Sequence, residues 1–112
     1  MRFILIALFS LFIGSVSAFE LITEQVNDQV YALVGEIGPR SAENHALNNT
    51  LGFIVTEEGV ALVSSGATPQ GAMLIEQSVA RVTVNPIRWV INIGVQDHHW
   101  LGNDYFAQKG AE

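Results

Sequence analysis

From Phe19 onward the hydrophobic positions come in short runs divided by turn-forming residues. Glu20 to Val26 and Gln29 to Val34 carry β-branched and aromatic side chains, and Asn27-Asp28 between them is turn chemistry because both side chains can bond their own backbone. The two runs predict a hairpin. Leu51 to Thr56 and Val60 to Ser64 predict a second, joined by Glu57-Glu58-Gly59 with glycine where a positive φ is needed. Its runs FIV and VALV are nearly continuous rather than alternating, the pattern of strands covered on both faces. Over residues 69 to 82 the period changes: Ala72, Ile75, Val79 and Val82 recur at helical spacing and supply a face to cover the sheet. Thr68 suits the N-cap of that helix and Pro69 its first position, where a missing N–H costs nothing. Asn85-Pro86 stops it, and Ile87 to Ile93 predicts a further strand. The order β-β-loop-β-β-α-β belongs to the α/β class, a mixed sheet of antiparallel hairpins with a covering helix.

Two stretches depart from this periodicity. Residues 35 to 48, rich in Gly, Pro, Ser and Asn, predict a loop longer than the usual connection, in which Arg40, Glu43 and His45 face either a substrate or solvent. The second stretch follows the last strand, where Gly94 gives the backbone freedom and Asp97, His98 and His99 stand in consecutive positions. Imidazole and carboxylate are the usual ligands of zinc-type ions, so these three are the candidate metal ligands; the bland alternative is a polar turn before a helix. On an extended segment adjacent side chains point to opposite faces, which turns one of the two histidines away from any pocket. Gln96 suits either a hydrogen bond to a ligand or a capping role. Gly102 and Asn103 then open a short helix-like segment, Asp104 to Lys109.

The N-terminus reads as an export signal. Arg2 precedes the almost unbroken apolar run Phe3 to Ile13, and small residues follow, with Val16 and Ala18 at the positions a signal peptidase reads. Residues 1–18 are therefore expected to be removed, leaving 19–112 as a periplasmic or secreted domain. The apolar run is well short of the roughly 20 residues of a bilayer span, so no stable membrane anchor is expected after cleavage. The mature chain has four basic against eleven acidic side chains, a formal charge of −7, and the basic ones form no patch; nucleic acid is excluded as a partner. Hydrophobic residues make up 49% of the 112 and charged residues only 14%, which suffices for a core. With no cysteine there is no disulfide, no thiolate nucleophile and no sulfur-ligated zinc.

Four pieces carry a resemblance: VYALVGEIGPRSAEN, LGFIVTEEGVALVSSGAT, RWVINIG and HHWLGNDYFAQKGA. In this order and spacing the stretch from Val30 to Ala111 resembles the N-terminal half of a metallo-β-lactamase-fold hydrolase, an αββα sandwich, and within that superfamily the exported branch of SoxH-type and quinoprotein-associated zinc hydrolases. The resemblance implies a zinc-activated water at the strand end, held by the motif Asn-Thr-His-x-His-x-Asp-His-x-x-Gly-Asn. Laid on without gaps, Asn92 stands on the first position, Gly94 and Gln96 on the first two histidines, His98 on the aspartate, His99 on the last histidine and Gly102-Asn103 on the closing pair. A one-residue slip aligns Asp97-His98 with Asp-His and puts Ile93 and Val95 on the histidine positions instead. Ser64, in VSSG, stands where the family has an aspartate, and by this resemblance Ser64, Gln96 and Asn103 support the site without binding metal.

A catalytic zinc takes three protein ligands and one open position, and lowers the pKa of its water to about 7. Two ligand positions are lost in either alignment. Two readings follow from the resemblance: a non-catalytic relative that keeps the fold and binds a small-molecule ligand or partner, or the N-terminal part of an active zinc hydrolase with a small-molecule substrate.

Overall fold

The computed structural model describes residues 18–112, in which five strands form one sheet in sequence order: β1 (Ile22–Gln25), β2 (Val30–Val34), β3 (Thr50–Thr56), β4 (Gly59–Val63) and β5 (Ile87–Ile91). The export signal expected over residues 1–18 lies, except for Ala18, outside the described residues. Among the described residues no helix is long and apolar enough to cross a membrane.

The local chemistry read from the sequence makes the turns. Asn27 Oδ1 accepts hydrogen bonds from the N–H groups of Gln29 and Val30, each 2.9 Å, and closes the β1–β2 hairpin. Gly59 adopts φ 147° where β4 leaves the Glu57-Glu58 turn, a region closed to residues with a Cβ. β1 to β4 pair antiparallel. Helix α1 (Pro69–Ala80) carries the chain back over the sheet, so β5 joins β4 in parallel. Its cap is Thr68, whose Oγ1 accepts from Gly71 N–H at 2.9 Å and donates to the His45 carbonyl at 2.9 Å. The helix stops at Ala80, two residues before the apolar spacing does, and Val82 N–H donates three residues back to the Val79 carbonyl, which tightens the last turn. A second short helix, α2 (Asn103–Ala107), follows the junction.

The core lies on one side of the sheet. Leu33, Phe53, Val60 and Leu62 are fully buried there against Ala72, Ile75 and Val79 of α1 and Phe106 of α2, and Tyr31 stacks on Phe53 at 4.9 Å. The alternate side chains of the same strands, among them Val30, Ile54, Val63 and Trp89, remain half-exposed, and Ile91 is exposed. The near-continuous apolar runs therefore have one covered face among the described residues, where the sequence pattern implied two.

β5 ends at Ile91 rather than Ile93, and the chain leaves the sheet toward the polar junction. At the far end of the chain Glu112 lies beside β5: its N–H donates to the Arg88 carbonyl at 2.9 Å and its carbonyl accepts from Val90 N–H at 2.8 Å. That exchange is a parallel bridge to Trp89 on the open edge of β5.

Candidate functional site

The junction between β5 and α2 is not extended. Asp97–His99 form one turn of 3-10 helix, with His99 N–H donating to the Gln96 carbonyl (3.0 Å) and Trp100 N–H to the Asp97 carbonyl (3.1 Å). A 3-10 turn advances each side chain by about a third of a revolution, so neighbours diverge less than on a strand. His98 and His99 accordingly lie together, their ring centroids 4.3 Å apart and tilted by 56°. The expectation that one ring is turned away does not hold, because it assumed strand geometry.

The turn is docked on the segment that links β4 to α1. Ser64, fully buried, has φ 70°, a left-handed conformation that costs a residue with a Cβ about 1–2 kcal/mol. This bend puts Ser64 Oγ 2.7 Å from His99 Nδ1, one hydrogen bond whose proton comes from either partner according to the ring tautomer. Ser65 N–H donates to the His99 carbonyl (3.1 Å), Ser65 Oγ donates to Asn103 Oδ1 (2.6 Å), and Gly102 N–H donates to the Gly66 carbonyl (3.0 Å). The His99 ring lies over Gly94: a Cβ on residue 94 would stand 2.8 Å from its Cδ2 and 3.1 Å from its Nε2. The place a side chain at position 94 would take is therefore filled by His99.

Asp97 is drawn to the loop before β3. Arg40 grips its carboxylate through two nitrogens, Nη1 to Oδ2 at 2.8 Å and Nη2 to Oδ1 at 2.6 Å. The guanidinium holds the Asp97 carboxyl down at about 2, and Asp97 in turn raises Arg40. Asn44, buried in the loop, sets the position of Arg40: its Oδ1 accepts from Ser41 and Ala46 N–H, and its Nδ2 donates to Glu36 Oε2 (2.8 Å) and to the Pro39 carbonyl (3.0 Å). Partial burial and the neighbouring His99 push His98 below its ordinary value, which favours a neutral ring, although Asp97 Oδ1 lies 3.8 Å from its Nδ1. Gln96 makes no side-chain cap bond and is exposed; Glu43 is exposed as well, and His45 contributes its carbonyl to Thr68.

Among the described residues no group of three His, Cys, Asp or Glu side chains is placed to hold a metal ion. The donor set explains this: the Asp97 carboxylate is committed to Arg40, one nitrogen of His99 to Ser64, and Gly94 and Gln96 offer no imidazole. The described residues by themselves do not supply the three ligands of a catalytic zinc. A cavity of about 520 Å³ lies elsewhere, between α1, the start of β5 and α2, with Val79, Ile87 and Phe106 in its lining and none of the junction histidines.

Sequence reasoning singles out Asp97, His98, His99, Ser64, Gln96 and Asn103 as candidates, and of these the structure brings Ser64 to His99. It missed Ser65, the partner of Asn103, and the pairing of Arg40 with Asp97 across 57 positions. The doubled serine of VSSG was the one local signal for Ser65.

No family model matches the chain, and no curated protein matches it. Solved structures do. One is the metallo-β-lactamase FIM-1 from Pseudomonas aeruginosa in its mono-zinc form, with a TM-score of 0.66, 14% identity, and 82% of this chain aligned to 40% of that one. Another is a metallo-β-lactamase from Pontibacter korlensis, with a TM-score of 0.64, 11% identity, and 82% of this chain aligned to 41% of that one. The fold is metallo-β-lactamase-like. At this identity the likeness concerns the fold, and the metallo-β-lactamase-like chain spans about two fifths of the length of these neighbours.

Proposed function

We propose that this chain is an exported, hydrolase-like but non-catalytic protein of the metallo-β-lactamase fold, from the SoxH-type branch its four sequence pieces resemble, and that its junction binds a small-molecule ligand or partner rather than a catalytic zinc. The observation that carries this reading is the double engagement of His99, bonded to Ser64 and seated over Gly94. A ligand histidine at 94 and the present position of His99 exclude each other. The Arg40 clamp on Asp97 supports the same reading, since a carboxylate held in a bidentate ion pair must break it to reach a metal. With one or two ligands, bound water lacks the fixed coordination that lowers its pKa.

Isothermal titration with zinc tests this. Binding is expected far weaker than the roughly 10 kcal/mol of a structural zinc site at neutral pH, with no hydrolysis at an enzymatic rate. Tight one-to-one binding that His98→Ala and His99→Ala each abolish overturns the proposal.

A second reading has its own support. Glu112 pairs with the open edge of β5 through two backbone hydrogen bonds, and the neighbours are more than twice as long as the part this chain covers. Under that reading the chain is the N-terminal half of an active zinc hydrolase. Intact mass spectrometry of the mature protein from its own cells separates the two and tests export together. An N-terminus at Phe19 is expected; an intact Met1 rules out cleavage after Ala18, and a mass much larger than that of residues 19–112 favours the longer hydrolase.

A further inference from the structure

We propose that the cavity between α1, α2 and the start of β5 binds a neutral, largely apolar small molecule that carries a hydroxyl group. The cavity holds about 520 Å³, within the range of small-molecule sites. It lies on the helix side of the sheet, at the opposite end of β5 from the junction, so it is a site apart from the one already described. Val79 and Phe106, both buried, form its floor with Ile87, and the exposed Ala80, Val84 and Pro86 stand at its mouth.

The walls are held by contacts of their own. Asn85 Nδ2 donates to the Thr56 carbonyl at 2.8 Å and Asn85 N–H donates to Thr83 Oγ1 at 3.1 Å, which fixes the link from α1 to β5. Lys109 Nζ donates to Glu76 Oε1 at 2.8 Å and to the Tyr105 hydroxyl oxygen at 3.2 Å, which ties the turn after α2 to α1. Both ends of the described chain lead away from this place. Ile22 opens β1 on the opposite edge of the sheet and at its junction end, across from Val34. Glu112, set in parallel beside Trp89, points along β5 toward Ile91 and not back toward Ile87. The shape of the cavity thus comes from the packing of the described residues.

Charge decides the class of ligand. Glu76 and Lys109 are the charged residues of the lining, and they pair with each other, so the site carries no net charge. An ionic ligand would give up its water to apolar walls and find its counter-charge already taken. One donor and one acceptor are left at the rim. The Lys109 ammonium has three N–H groups and two are engaged, while Glu76 receives both Lys109 and the Tyr105 hydroxyl on Oε1, which leaves Oε2. A hydroxyl group both donates and accepts, so it can meet the two together. Its apolar body then takes the place of water over Val79, Ile87 and Phe106.

Naphthol, uncharged at neutral pH, is the probe, titrated into the full chain and followed by its fluorescence and by two-dimensional NMR. A dissociation constant on the order of 10 to 100 µM is expected. The resonances of Val79, Val84 and Phe106 are expected to shift, and those of the His98 and His99 rings to stay in place. Naphthoate, naphthylmethylammonium and naphthalene, the anionic, cationic and hydroxyl-free counterparts, are each expected to bind about tenfold more weakly or worse. Ala80→Trp and Val84→Trp, at exposed positions on the mouth, fill the cavity from outside the core. Each is expected to weaken naphthol by about tenfold or more with an unchanged far-ultraviolet circular dichroism spectrum, and either suffices if the other fails to fold. No shift at the cavity up to about 1 mM naphthol overturns the proposal. So does binding that moves the junction histidines instead, that survives both filled variants, or that any of the three counterparts matches.

Discussion

Gly102→Ala is expected to lower the free energy of unfolding by about 3 kcal/mol, the upper range for forcing an extra carbon into a packed site. Gly102 has φ −79° and ψ −2°, ordinary helical backbone, so glycine is not needed there for conformation. It is needed for approach. A Cβ would overlap the Ser65 carbonyl oxygen and press on the Ser65 side chain, and a backbone oxygen cannot rotate aside as the end of a long side chain can. Relief requires the junction to lift from the β4–α1 link, which breaks the bond from Gly102 N–H to the Gly66 carbonyl and loosens those from Ser65 to His99 and Asn103. Chemical denaturation measures the loss, and the histidine ring resonances report whether His99 has left Ser64. A variant within about 0.5 kcal/mol of wild type would mean that the two segments are not held together in solution as described.

The elements that local chemistry builds were legible in the sequence. Asn27 closes its hairpin, Gly59 takes the positive φ and Thr68-Pro69 start α1 because each acts on backbone within three residues of itself. The chemistry of the junction was less legible, since it depends on contacts between distant segments. Asp97 reads as a metal ligand in isolation, and only the folding of the Asn44-centred loop shows that Arg40 reaches it first. The three polar residues in a row carry no period that distinguishes a strand end from a 3-10 turn, so the side on which His98 falls could not be read. Gly94 was taken as an absence, a histidine position left empty. In the fold it is a seat for the His99 ring, which no spacing rule reveals. The continuous apolar strands were read as covered on both faces, and the described residues cover one; apolar pattern states the demand for a cover without naming what supplies it.

Phe53 and Ile54, adjacent on the central strand β3, are expected to respond to truncation very differently. Phe53 points to the helices, is fully buried and stacks on Tyr31 with its ring inclined by only 8°. Phe53→Ala removes most of a ring from a closed core and is expected to cost about 3–5 kcal/mol. Ile54 points the other way, where its side chain keeps contact with water, so Ile54→Ala forfeits only part of its transfer free energy and is expected to cost about 1 kcal/mol. Chemical denaturation measures both costs. Equal costs would mean that the two faces of the sheet are covered alike, against the one-sided core of the described residues.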